Sequence, residues 1–243
     1  VLVRFWNKYY LLMSPSLPDR KKKLHNLLQK SKAAILDFDG LLADSEPYHY
    51  KAYNKVFERY GHTLNKTEYW IEWTSKGKGI AGEIERHNLK LGVDVKDLRK
   101  QKFEIYTRFC ESGEIKLFPE AVRLVEQLSS NHKLAIASGS WAADIRHILR
   151  NADALDLVPV ILGKESAERE KPFPDIFLNA AKRLGHSPAE CFVLEDALKG
   201  LNAANEAGIP CIILQNNLNR NIDFSGAEIV FPSLSSFVSD LAN

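Results

Sequence analysis

From Ala33 onward the chain alternates short apolar runs with amphipathic segments. Short apolar runs bounded by polar or turn residues read as strands buried on both faces, and the 3.6-residue period between them reads as covering helices. The pattern predicts strands over Ala33–Asp37, Lys133–Ala137, Val158–Ile161, Cys191–Leu194, Pro210–Leu214 and Glu228–Val230. It predicts helices over Pro119–Ser129, Trp141–Asn151, Pro174–Leu184 and Lys199–Ala207, two of them closed by Gly185 and Gly208. The expected architecture is an α/β parallel sheet with helices on both faces.

The alternation breaks once. Between Asp44 and Leu117 the only regular patterns are helical, over Tyr48–Tyr60, Glu83–Leu91 and Asp94–Cys110. That interval is far longer than one crossover helix requires, so it reads as a helical subdomain inserted after the first strand. In parallel sheets ligands bind beyond the carboxyl ends of the strands, and the residues just after each strand are where chemistry is sought.

The first strand ends in Asp37-Phe38-Asp39-Gly40. Two carboxylates one residue apart project from the same side of a strand end, an arrangement that costs free energy unless a cation or a shared proton relieves it. The plain alternative is a pair of solvated aspartates; a calcium loop would need Gly and Glu where Leu42 and Tyr48 stand. A second acidic pair, Glu195-Asp196, follows another strand, and the two pairs together can hold one hard, oxygen-ligated divalent ion, most simply Mg²⁺.

Ser138-Gly139-Ser140 precedes a helix, where hydroxyls and free amides make an anion site; a simple N-cap at Ser140 is the alternative. The segment lacks G-x-S-x-G, so no serine nucleophile is assigned. Lys171 stands before Pro172-Phe173-Pro174-Asp175, a rigid turn that can fix an ammonium against a phosphate, with an ordinary solvated lysine as the bland reading. Gly77-Lys78-Gly79-Ile80-Ala81-Gly82 matches G-x-G-x-x-G but follows no strand. A ligand-facing loop of the insertion, or a linker, is therefore preferred to a dinucleotide site. No Cys/His spacing indicates zinc. His49 lies one turn into the helix after the first motif, with a surface or core histidine as its plain reading.

Composition narrows the partners. With 33 Lys and Arg against 31 Asp and Glu, the formal charge of +2 provides no field for grasping nucleic acid or an anionic membrane. Cys110, Cys191 and Cys211 sit in apolar runs and read as reduced thiols, hence a reducing, cytoplasmic compartment. No apolar stretch approaches the ~20 residues that span a bilayer. Val1–Pro18 show neither helical nor strand period and no A-x-A cleavage pattern, and are set aside as a leader or misassigned start.

Assembled in order, these motifs resemble the haloacid dehalogenase superfamily, and within it the β-phosphoglucomutase-like and CbbY-like sugar phosphatases. The matching residues are Asp37-Phe38-Asp39-Gly40 with Asp44-Ser45-Glu46, Ser138-Gly139-Ser140, Lys171-Pro172-Phe173-Pro174-Asp175-Ile176-Phe177, and Val193-Leu194-Glu195-Asp196 followed by Gly200, Ala203, Ala204 and Ala207-Gly208. The likeness runs from Ala33 to Leu214. It implies a Rossmann-like parallel-sheet core over 31–46 and 113–243, a small helical cap inserted at 47–112, and an N-terminal extension or leader over 1–30.

The resemblance also implies roles. Asp37 is expected to attack phosphorus and carry the phosphoryl group, and Asp39 to shuttle protons with a raised pKa. Asp37, Glu195, Asp196 and the backbone carbonyl of Asp39 are expected to hold Mg²⁺, with Ser138, Gly139 and Lys171 on the phosphate. Ser45, Glu46, His49, Lys76 and Lys78 are the expected cap-side or substrate residues. The implied protein is a monomeric phosphatase acting on a small phosphorylated metabolite of the sugar-phosphate class, with no nucleic-acid or membrane partner. Two departures weigh against the phosphomutase alternative: Lys76 and Lys78 stand near the place of a cap arginine, and Ala142 where mutases carry a polar amide. A non-catalytic binding module fits least, since every acid, metal and phosphate position is present.

Overall fold

The computed structural model describes residues 17–75 and 77–242. Six short strands form one all-parallel sheet: β1 (Ala33–Leu36), β2 (Lys133–Ala137), β3 (Val160–Leu162), β4 (Cys191–Glu195), β5 (Cys211–Leu214) and β6 (Ile229–Phe231), in the order β3-β2-β1-β4-β5-β6. β1 lies between β2 and β4, with Ala33 opposite Lys133 on one side and Cys191 on the other. All four of its residues are buried, which is why the strand reads as an unbroken apolar run.

Alternate strand residues enter two separate cores. On one face Ala34, Leu36, Ile136, Phe192, Leu194 and Ile212 pack against α5 (Ala121–Ser129) and α9 (Leu234–Leu241). On the other, Ala33, Ile35, Ala135, Ala137, Val193 and Ile213 meet α7 (Asp175–Leu184) and α8 (Leu198–Glu206). Side chains at i and i+2 on a strand share a face, so each strand contributes to both layers. α6 (Ala142–Asn151) packs beside β3.

Strand limits differ from the sequence expectation by a residue or two, β3 and β6 beginning later than the apolar runs that announce them. The segment 1–30, set apart by its sequence, is partly structured: α1 (Leu17–Lys30) lies on β6. Leu24 is buried, Arg20 stacks 4.7 Å from the Phe231 ring centroid, and Arg20 and Lys21 pair with Asp240. Its basic run Arg20–Lys23 looks like a solvated extension because the helix docks through few apolar side chains. Residues 1–16 of that segment lie outside the described residues.

The insertion between β1 and β2 is helical among the described residues: α2 (Glu46–Glu58), a short turn Lys66–Glu68, a π-helical turn Tyr69–Ser75, α3 (Gly79–Arg86) and α4 (Val95–Glu111). α3 starts four residues before the expected Glu83 and stops at Arg86. Gly79 and Gly82, read from sequence as loop formers, belong to the helix, and a Cβ on Gly82 would meet the Lys78 side chain at 2.5 Å. Both connections to the core pass side by side through an isolated antiparallel bridge between Ala43 and Leu117, closed by Asp44 N–H to Lys116 O and Phe118 N–H to Leu42 O. No helix among the described residues is long and apolar enough to cross a membrane.

Candidate active site

The strand ends bring the predicted acids together. Lys171 Nζ donates to Asp37 Oδ1 (2.6 Å), Glu195 Oε1 (2.7 Å) and the Ala137 carbonyl (3.0 Å), so one buried ammonium joins the ends of β1, β2 and β4. Burial alone would lower Lys171, but Asp37 and Glu195 outweigh it and raise its pKa. Glu195 Oε2 accepts the backbone N–H groups of Asp196 and Ala197, 2.8 Å each. That carboxylate is seated against α8, where a Cβ on Gly200 would lie 1.7 Å from Oε1; only glycine fits.

Asp196 is held by neighbours that sequence reasoning did not single out. Asn216 Nδ2 donates to its Oδ2 (2.8 Å), and Asn219 Nδ2 to its carbonyl (2.7 Å). A Cβ on Gly40, which has φ +77°, would sit 2.5 Å from the same Oδ2.

Ligand oxygens of Asp37, Glu195 and Asp196 lie within 4.8 Å of one another. Three carboxylates share one ammonium, leaving the pocket about two negative charges in excess if all are ionised. Burial and the Glu195 charge push Asp37 up to about 7 against the pull of Lys171, and burial, Glu195 and Asp37 raise Asp196 well above its usual range. Hard carboxylate oxygens, converging and short of positive charge, fit a divalent ion of the Mg²⁺ kind.

Asp39 faces a different set of groups. Its Oδ1 accepts from Ser45 Oγ (2.6 Å), His49 Nε2 (3.1 Å) and Tyr106 OH (3.2 Å), and its Oδ2 from Ser138 Oγ (2.9 Å) and Ser140 Oγ (2.7 Å). Burial works to raise Asp39, but His49 and the hydroxyls of Ser45 and Ser140 override it and hold the carboxyl well below the usual range. This reverses the raised pKa that the resemblance implies, because these donors favour the charged form. Its carboxylate is outside the cluster of three, so any part in holding a metal falls to its carbonyl.

Behind His49 stands Lys102 of α4, whose Nζ is 2.8 Å from His49 Nδ1. An ammonium donating there leaves the proton of the imidazole on Nε2, pointed at Asp39. The His49 ring stacks on Tyr106 with centroids 4.0 Å apart. Burial pushes Lys102 down to about 8 although Asp39 and Glu46 oppose it.

The expected anion site after β2 is arranged differently from the sequence reading. Ser140 does not cap α6: the N-cap is Trp141 without a side-chain bond, Ser140 turns to Asp39, and Glu165 accepts the Ala142 N–H (3.2 Å). Ser138 also gives its hydroxyl to Asp39, while Gly139 is exposed. Glu46 is half-buried at the start of α2, near enough for its charge to raise Asp196. Lys78 is exposed at the start of α3, and Lys76 lies outside the described residues. The Gly77–Gly82 segment, whose last four residues open α3, follows a helical turn rather than a strand, as a dinucleotide fingerprint would not.

Asp37, Lys171 and the acidic pair gathered at the ends of parallel strands, with a helical insertion beside them, define a class that sequence comparison confirms. Residues 34–214 match the haloacid dehalogenase-like hydrolases. The chain belongs to that family and is an enzyme of its phosphatase group. It is 31% identical over 214 residues to protein CbbY of Rhodobacter capsulatus, covering 84% of this chain and 94% of the relative. It is 29% identical over 221 residues to the β-phosphoglucomutase of Bacillus subtilis, covering 86% and 93%. A solved structure of a CbbY variant from Rhodobacter sphaeroides, in complex with xylulose-(1,5)bisphosphate, superposes with a TM-score of 0.75 at 27% identity, covering 87% of this chain and 99% of that one.

Proposed function

We propose that this enzyme hydrolyses a small phosphate monoester of the sugar-phosphate class, with Asp37 as nucleophile and Asp39 as proton shuttle. The observation that carries the reading is the division of labour between two aspartates two residues apart. Asp37 is tied to Lys171 among the acids, whereas Asp39 is held apart by donors from both the core and the inserted helices.

In the first half-reaction an Asp37 carboxylate oxygen forms a bond to phosphorus, the bond to the ester oxygen breaks, and that oxygen takes a proton from Asp39. In the second, water attacks the phosphorus of the acyl phosphate, gives its proton to Asp39, and inorganic phosphate leaves with Asp37 restored. Asp37, Glu195, Asp196 and the Asp39 carbonyl would hold Mg²⁺, which when bound supplies positive charge to the transferring phosphoryl group. Lys171 adds a fixed ammonium on the same side.

The anionic Asp39 of this conformation is the form that accepts a proton from water. Donation to the leaving group needs fewer donors around it, and three of its five, on Ser45, His49 and Tyr106, stand at or within the inserted helices. Movement of residues 47–112 as a cap over the strand ends would therefore couple substrate enclosure to the protonation of Asp39. Ser138, released when Asp39 turns away, and the exposed Gly139 would meet the phosphate oxygens.

A second reading, a sugar phosphomutase returning the phosphoryl group to a rotated sugar, is favoured by the likeness to β-phosphoglucomutase and disfavoured by Ala142 beside the site. The two are separated by assaying phosphate release with Mg²⁺ across sugar monophosphates, ketose bisphosphates, phosphoglycolate and nucleotides, beside phosphorus NMR of β-glucose 1-phosphate. Free phosphate is the expected product. Isomerised sugar phosphate without net release would replace hydrolysis by mutation of the sugar, and full activity in Asp37→Asn would end the mechanism.

A further inference from the structure

The inserted helices hold a second convergence of metal-ligating side chains that the chemistry above does not use. His62 comes from the turn after α2, Glu68 from the turn Lys66–Glu68, Glu83 from α3 and His87 from its C-cap. His62 Nε2 lies 2.8 Å from Glu83 Oε1. His87 Nε2 lies 3.4 Å from that same oxygen and 3.0 Å from Glu68 Oε2. Donor atoms of His62, Glu83 and His87 fall within 4.8 Å of one another.

Nitrogen and oxygen donors about 2.0–2.2 Å from a tetrahedral zinc ion stand roughly 3.3 Å apart. The His87–Glu83 pair at 3.4 Å already has that spacing, and the two pairs at hydrogen-bond length, 2.8 and 3.0 Å, need open by only a few tenths of an ångström to admit an ion between them. Glu83 and His87, four residues apart, share one side of α3. Glu83 is 1% exposed, and its second oxygen accepts from Trp73 Nε1 at 3.0 Å and from Arg86. That is the outer support which aims the first oxygen at the two imidazoles. The His87 side chain is 33% exposed and offers an entry path. Arg86 Nε also reaches Glu68 Oε2 at 3.4 Å, so three donors are fixed and Glu68 or a water completes the set.

We propose that His62, Glu83 and His87, with Glu68 as the exchangeable fourth donor, form a binding site for a zinc-class divalent ion on the inserted helices. Imidazole donors prefer such borderline ions, whereas the all-carboxylate cluster prefers Mg²⁺, so the two sites sort by ligand chemistry. The inference does not depend on the catalytic reading. An ion there would clip the turn after α2 to α3, across the intervening turns from Lys66 to Ser75. The sequence concealed it because the donors are spread over His62 to His87 in no zinc-motif spacing.

The test uses the full chain, stripped of metal by a chelator and then kept in millimolar Mg²⁺ to fill the carboxylate cluster. Zn²⁺ is titrated in competition with a chromophoric chelator, in wild type, His62→Gln, His87→Gln and Asp37→Asn. The expected result is one equivalent bound by wild type and Asp37→Asn, and affinity lower by about tenfold or more in each histidine variant. Zn²⁺ should also raise the melting temperature of wild type and not of His87→Gln. Circular dichroism checks that the variants fold, and the exposed His87 is the position least able to unfold the chain. No Zn²⁺ bound by wild type, equal affinity in the histidine variants, or loss of binding in Asp37→Asn would each overturn the proposal and leave a hydrogen-bonded cluster only.

Discussion

Replacing Asp37, the proposed nucleophile, should make the metal-free protein more stable. Asp37 is buried beside Glu195 and Asp39, and its carboxyl is pushed from 3.8 up to about 7. At about 1.4 kcal/mol per pH unit, an ionised Asp37 costs the folded state up to roughly 4 kcal/mol. The sign follows from linkage. Below about pH 4 both folded and unfolded chains keep the proton and there is no penalty. Between about pH 4 and 7 only the unfolded chain ionises, so stability falls, and above about pH 7 the full penalty remains. Part of it is relieved because the neighbouring Asp196, itself raised by burial, Glu195 and Asp37, can carry a proton. A gain of about 1–2 kcal/mol is therefore expected for Asp37→Asn at pH 8, and the amide oxygen can still accept from Lys171. In a chain of this length that is a rise of about 2–8 °C. The assay is thermal unfolding in EDTA at pH 5 and pH 8, then with saturating Mg²⁺. The gain should grow from pH 5 to pH 8 and shrink when Mg²⁺ is added, since the ion stabilises wild type more. A variant that melts at or below wild type at pH 8 in EDTA would refute the idea that the acids repel one another more than Lys171 can offset.

Two further substitutions probe the neighbours. Gly200→Ala places a methyl group 1.7 Å from where Glu195 Oε1 now lies and must displace that carboxylate; Mg²⁺ activation curves should move to about tenfold higher concentration, with the fold preserved by circular dichroism. Ser140→Ala removes a 2.7 Å donor to Asp39, so the Asp39 pKa rises and the acid limb of the pH–rate profile should shift to higher pH, while KM changes little.

Much of the core is legible in the sequence because strands buried on both faces leave continuous apolar runs, as in Ala33–Leu36 and Cys191–Leu194, and because acids immediately after such runs have few structural excuses. Asp37, Glu195 and Asp196 are read for that reason, and Lys171 for the rigid proline turn that follows it; they do meet at the strand ends, 134 residues of separation closing to 2.6 Å for Lys171 and Asp37. What escaped was whatever depends on a distant partner. Lys102 belongs to a polar helix pattern and looks solvated, yet it is buried against His49; Tyr106 looks like core and also reaches Asp39. Asn216 and Asn219 are ordinary loop residues until β5 carries them to Asp196. Ser140, read as part of an anion site with a helix cap as the alternative, does neither in this conformation, because a carboxylate 101 residues away claims its hydroxyl.

The paired entry and exit of the inserted helices at Ala43 and Leu117 has a consequence for how such enzymes diversify. To the sheet, everything between those two residues is one loop whose ends are already pinned together, so its length and content barely alter the entropy of closing the core. The inserted helices are thereby a detachable page, while Asp37 at the end of β1 lies only a few residues upstream of the binding.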